Sequence, residues 1–196
     1  KAVGFTGSYL GGKQLYDWAQ QRTEPIPVFL VLGSVNPVFL FPGKLKENVE
    51  ALAEQLAGSI TLGVGQFCTN PGLIIGLDSE ELNQFVKTLS LRISGASPGK
   101  MLHAGISKAY AEKRILALSQ ADVELSGVAE AEPGELEGQP TIASATGDAF
   151  LNNPILHKEV FGPYSIVIRC SDMKQLKQVT EEIEGQLTCS LMATEE

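Results

Sequence analysis

Histidine and cysteine are scarce in this chain of 196 residues, and the scarcity narrows its chemistry. Only His103 and His157 offer an imidazole, and Cys68, Cys170 and Cys189 are far apart with no CxxC among them. An odd count at such spacing excludes a disulfide framework and argues against zinc, so no metal is expected and a reducing, cytoplasmic setting fits. Basic clusters are missing too. Fifteen Lys and Arg against 23 Asp and Glu leave a formal charge of −8 and a pI near 4.9. That balance gives no reason to expect nucleic acid or a membrane surface as a partner. The N-terminus lacks the pattern of a signal peptide, and no repeat or low-complexity tract occurs. The longest apolar stretch, PIPVFLVLGSVNPVFLFP at residues 25–42, is broken by four prolines and by Ser34 and Asn36, which excludes a spanning helix.

What remains is the profile of a folded soluble domain, 43% apolar and 19% charged. Short apolar strands alternate with amphipathic helices. Strands are predicted over residues 1–8, 28–32, 37–41, 73–77, 140–144, 164–169 and 187–192. Helices are predicted over 11–22, 45–60, 79–93, 107–120 and 172–183. The 45–60 helix carries the clearest spacing, with Val49, Leu52, Ala53, Leu56 and Ala57 on one face. Asp78 and Glu81 resemble a capping box, and the acidic run 122–139 reads as an exposed loop. Leu15 and Trp18 read as helix-face core or as a face covered by another domain. The strands are apolar without alternation, so the expected fold class is α/β, a three-layer α/β/α arrangement around an open, mostly parallel sheet.

Cys68 lies in GQFCTNPGL, residues 65–73. A thiolate is the side-chain nucleophile best suited to a carbonyl carbon near neutral pH, given exposure and backbone donors for the oxyanion. Gly63, Gly65 and Gly72 would let the backbone bend around it. Spacing alone favours a packed core thiol as the reading of Cys68, and Cys170 and Cys189 read as core thiols. GFTGS at 4–8 places Gly7 and Ser8 at a helix N-terminus, either a plain helix entry or an anion site. In KEVFGP at 158–163, Glu159 and Phe161 read either as a surface acid before a packed aromatic or as groups facing a ligand. Asn70 reads as a brace for its loop, His103 as a surface or loop residue, and His157 as an exposed one; Gln66 has no derivable role.

Taken together, GQFCTNPG, GFTGS, LGSVNPVFL at 32–40 and KEVFGP resemble, in order and separation, segments of the aldehyde dehydrogenase superfamily. The resemblance covers the whole chain. It implies that Cys68 attacks an aldehyde, that hydride passes to NADP or NAD, and that water releases a carboxylate from the Cys68 thioester. It further implies that Gly7, Ser8, Leu32, Glu159 and Phe161 contact the cofactor. Residues 1–30 would then be a remnant of the edge of the cofactor-binding domain and residues 31–196 the catalytic domain. LGSVNPVFLFP after PIPVF is similar to the NADP-linked semialdehyde branch, which includes 2-oxoglutarate-semialdehyde and fatty-aldehyde dehydrogenases.

The pattern is broken at one position. The family has Glu before the LGS-type segment, as general base for thioester hydrolysis, and this chain has Val31. A natural or engineered inactivation, a degenerate copy, and an apolar adaptation to a missing neighbour all account for it. The chain opens mid-strand at Lys1, which reads as an excised or processed piece lacking the N-terminal cofactor-binding half. On this reading the chain alone binds NADP poorly and does not complete oxidation of a small-molecule aldehyde. The competing reading is a non-catalytic module that forms a homo-oligomer through apolar faces at Leu10, residues 28–32 and residues 187–192. A residual thiol esterase is a third.

Overall fold

The computed structural model describes residues 1–194 and divides into two compact units, Lys1–Ser34 and Val35–Glu196. In the small unit the second strand continues through Val31 before the chain passes to the large one.

In the small unit, β1 (Val3–Thr6) pairs in parallel with β2 (Val28–Val31), connected by α1 (Tyr9–Gln20). Ser8 starts the helix by accepting a bond from the Gly11 N–H at 3.3 Å. Gly12 lets the helix pack closely on Leu32, whose side chain would have to move to admit a Cβ, 2.1 Å away. Trp18 is exposed and Leu15 only partly covered, so within this unit they are not core.

The large unit begins with β3 (Val38–Leu40), α2 (Pro42–Glu47), α3 (Val49–Thr61) and a short 3-10 turn, Leu62–Gly65. It continues with β4 (Leu73–Leu77), α4 (Glu80–Ser94), β5 (Gly99–Lys100) and α5 (Ala104–Leu118). Then come β6 (Val123–Val128), β7 (Glu137–Gly138), β8 (Thr141–Thr146) and α6 (Gly147–Asn152). A 3-10 turn at Pro154–His157, β9 (Tyr164–Cys170), α7 (Met173–Glu182) and β10 (Ser190–Met192) complete it. Six strands form one sheet in the order β10-β3-β4-β9-β8-β6, all neighbours parallel except β6 against β8.

Period-two alternation along these strands separates two cores. Ile74, Val167 and Ile142 face α2, α3 and α4, where Leu82, Phe85, Leu89 and Ile93 have no exposed surface. Leu73, Ile75, Ile166, Ile168 and Ala143 face α5, α6 and α7. Burying each such large side chain contributes roughly 1.5–3 kcal/mol before entropy is counted. The three-layer α/β architecture expected from the sequence is therefore present.

Several local expectations are corrected. The 45–60 helix is two helices, because Asn48 leaves the helical region (φ −165°) and its side chain caps Ala51 N at 2.8 Å. Ser79, not Asp78, caps α4 through Leu82 N, while Asp78 pairs with Arg169 at 3.1 Å. The acidic run conceals β6, an edge strand bulged between Leu125 and Gly127. Gly127 is needed there because a Cβ would approach Ser90 Cα of α4 to 2.8 Å. Cys170 is buried as expected, but Cys189 is exposed, since β10 is the other edge strand. Burial holds the Cys170 thiol above its ordinary value, at about 11.

Candidate active site

The large unit gathers its unusual backbone at the amino-terminal ends of β3, β4 and β9. This contrasts with ligand sites of open α/β sheets, which favour the carboxyl ends. Cys68 occupies a turn closed by Asn70 N donating to Phe67 O at 3.0 Å, and it is exposed. Ahead of it, Gly63, Val64 and Gly65 have φ of 55°, 59° and 63°. Three successive residues in the left-handed region reverse the chain out of α3, and glycine serves two of them without steric cost.

Gly65 also permits a close approach. A Cβ there would lie 2.3 Å from the Gly162 carbonyl carbon and oxygen. The turn at 158–163 and the Cys68 loop thus touch backbone to backbone, and Asn70 Nδ2 donates to Gly162 O at 3.2 Å. The bracing role expected for Asn70 is met by this bond. Gly162 in turn lies under the Tyr110 ring, where a Cβ would come within 2.3 Å. The Tyr110 hydroxyl donates to Gln139 O at 2.6 Å and approaches Pro163 O at 3.3 Å. Burial raises the Tyr110 and Tyr164 phenols well above their usual range. Arg114 completes the support by donating to Thr141 Oγ1 at 2.7 Å and Gln139 Oε1 at 3.0 Å.

Glu159 and Phe161 are both half-buried in this turn, and Lys113 Nζ donates to the Glu159 carbonyl at 3.0 Å. His157 is half-buried rather than exposed. Its ring stacks on Phe150 with centroids 4.1 Å apart, and Nε2 lies 2.7 Å from Phe150 O. Gln66, without a role from sequence, accepts from Leu102 N at 2.8 Å and so ties the loop to the start of α5. His103 caps that helix through Nδ1.

The small unit holds the other candidates. Gly7 N donates to Val31 O at 3.0 Å, so the GFTGS turn and the end of β2 are held together. Val31 is 39% exposed and Leu32 is half-buried. A Cβ at Gly7 would lie 2.7 Å from the Phe5 ring, so this exposed turn stays without side-chain bulk beside a helix N-terminus.

Comparison with known proteins gives this geometry its context. The profile of the aldehyde dehydrogenase family matches residues 1–196. The chain belongs to the aldehyde dehydrogenase family. Alpha-ketoglutaric semialdehyde dehydrogenase 2 of Azospirillum brasilense is 40% identical over 97% of the chain and 36% of its own length. Alpha-ketoglutaric semialdehyde dehydrogenase of Acinetobacter baylyi is 39% identical over 100% of the chain and 37% of its own length. The chain thus spans little more than a third of these dehydrogenases. Among solved structures, an NAD-dependent benzaldehyde dehydrogenase from Corynebacterium glutamicum superposes with a TM-score of 0.80 at 19% identity. That superposition covers 100% of this chain and 42% of the benzaldehyde dehydrogenase, and it shows the shared fold. No helix among the described residues of this aldehyde dehydrogenase chain is long and apolar enough to cross a membrane.

Proposed function

We propose that this chain supplies the nucleophile-bearing part of an enzyme that oxidises an aldehyde to a carboxylate, with Cys68 as the acylated residue. The observation that carries the reading is the exposed Cys68 turn, braced from below and packed against the 158–163 turn. The identity to two alpha-ketoglutaric semialdehyde dehydrogenases favours a semialdehyde bearing a distal carboxylate as substrate.

In the first step the Cys68 thiolate adds to the aldehyde carbon, forming the S–C bond, and the carbonyl π pair becomes an alkoxide. Backbone N–H groups at the turn are the available donors for that charge: its closing bond uses the N–H of Asn70 and not those of Cys68 and Thr69. NAD(P), when bound, supplies the hydride acceptor that turns the adduct into a thioester. In the small unit Gly7 and Ser8 suit phosphate groups and Leu32 is a further candidate contact; in the large unit Glu159 suits ribose hydroxyls and Phe161 the nicotinamide ring. Release of the carboxylate requires a base to take a proton from water, and Val31 cannot. Acylation therefore outruns release, and the chain alone does not sustain turnover.

A substrate-protection experiment tests the reading. Alpha-ketoglutaric semialdehyde should slow iodoacetamide labelling of Cys68 and leave Cys189 unaffected. Equal labelling with and without the aldehyde would remove Cys68 from its role. Robust NADPH formation would instead contradict the stalled release.

A second reading, self-association, rests on exposed apolar side chains. Phe29 is 68% exposed on β2, and Leu191 is 68% exposed on the edge strand β10. A monomeric mass by light scattering at high concentration counts against it.

A further inference from the structure

The Cys68 turn is held from beneath by one buried side chain. Asn36 is 3% exposed and sits just before β3 with φ 44°, in the left-handed region that Asn tolerates. Its Nδ2 donates to Cys68 O at 2.9 Å and to Asn70 O at 2.8 Å, spanning the turn on both sides of Thr69. Its Oδ1 accepts from Thr188 Oγ1 at 2.9 Å. The two carbonyls can only accept, so they fix which end of the Asn36 amide points at the turn, and the Thr188 hydroxyl holds the amide from its other end by donating to Oδ1. The same C-terminal segment holds the neighbouring residue, since Gln186 Oε1 accepts from Val35 N at 2.6 Å. Val35 O in turn accepts from Gly72 N at 3.0 Å, where the loop enters β4.

The direction of these bonds has a chemical consequence. Among the described residues every peptide bond is trans, and in a trans peptide the N–H points opposite to the C=O of the same plane. Asn36 draws the Cys68 carbonyl inward, so the Thr69 N–H faces outward, the side on which Cys68 and Thr69 are exposed. The Phe67 carbonyl is likewise engaged by Asn70 N, which turns the Cys68 N–H away from it.

We infer that Asn36 and Thr188 are positioning residues that orient the Thr69 N–H as a donor to the oxyanion formed when Cys68 is acylated. The inference rests on the proposed role of Cys68. It makes the residues 186–188, more than a hundred positions from the nucleophile, part of its support.

Two reactions of the same thiol separate orientation from simple integrity. Acylation by p-nitrophenyl acetate forms the Cys68–acyl bond through a tetrahedral oxyanion and expels p-nitrophenolate. Alkylation by iodoacetamide displaces iodide and develops no oxyanion. In a Cys189→Ala background, Thr188→Val is expected to slow acylation roughly tenfold or more, a fraction of the effect of deleting an oxyanion donor outright. Alkylation should stay essentially unchanged, and Thr188→Ser, which keeps the hydroxyl, should restore acylation. Asn36→Ala is expected to show the same split more strongly, and if it does not fold, the Thr188 pair carries the test. Unchanged acylation in Thr188→Val would overturn the inference. So would a parallel fall in both reactions, which would mean that the brace only keeps the loop in place. If the parent chain shows no acylation that depends on Cys68, the Cys68 reading falls, and the inference with it.

Discussion

Replacing Gly65 by Ala probes the contact on which the site is built. Gly65 has φ 63°, a region that costs an L side chain roughly 1–2 kcal/mol. The new Cβ would also lie 2.3 Å from the Gly162 carbonyl and 2.6 Å from Pro163 N, backbone atoms that cannot swing aside. Forcing packed elements apart in this way costs roughly 1–3 kcal/mol more. Gly65→Ala should therefore destabilise the chain by about 2–5 kcal/mol. Gly95→Ala is the matched control: φ is −81° and the nearest atom to its Cβ is 3.8 Å away. It should stabilise by about 0.4–1 kcal/mol, because Ala restricts the unfolded chain at no folded-state cost. Urea denaturation followed by circular dichroism reads both through the midpoint, provided the slope is unchanged. If Gly65→Ala stays within about 1 kcal/mol of the parent, the Cys68 loop and the 158–163 turn are not in the close contact described.

Other outcomes follow from the same geometry. Val31→Glu should be tolerated within about 0.5 kcal/mol, because the side chain is exposed; a larger loss in urea denaturation would contradict that exposure. Cys68 and Cys189 should react with Ellman's reagent rapidly and Cys170 only on unfolding; a fast third thiol would contradict the burial of Cys170. Stability should decline at alkaline pH. The Cys170 thiol has a folded value of about 11 against an ordinary 9.0, so its contribution is complete below pH 9.0 and lost as pH rises through about 11. The raised Tyr110 and Tyr164 phenols act in the same direction above the ordinary tyrosine value of 10.0. Denaturation midpoints measured from pH 8 upward, with Cys170→Ala expected to flatten the decline, check the sign.

The layered fold was legible in the sequence because β3, β4 and the Ile166–Ile168 centre of β9 are covered on both faces and read as apolar runs. Edge strands were less so. β6 carries the exposed Glu124 and Leu125 and a bulge, so its pattern merges with the acidic segment that follows. The same edge effect misplaced Cys189, whose apolar setting looked like core. Asn48 shows capping chemistry overriding helical periodicity, which runs through it undisturbed in the sequence. At the candidate site, Cys68, Glu159 and Phe161 were named from motif resemblance, not from spacing. Asn36 was read only as a breaker in an apolar run, since its bonds to Cys68 and Thr188 join segments 32 and 152 positions away. Periodicity carries no signal for contacts of that kind.

Acyl mapping on the intact chain measures the central claim most directly. After exposure to p-nitrophenyl acetate, peptide mass spectrometry should find a single acetyl group on Cys68. Label shared evenly with Cys189, or none at Cys68, would contradict the account.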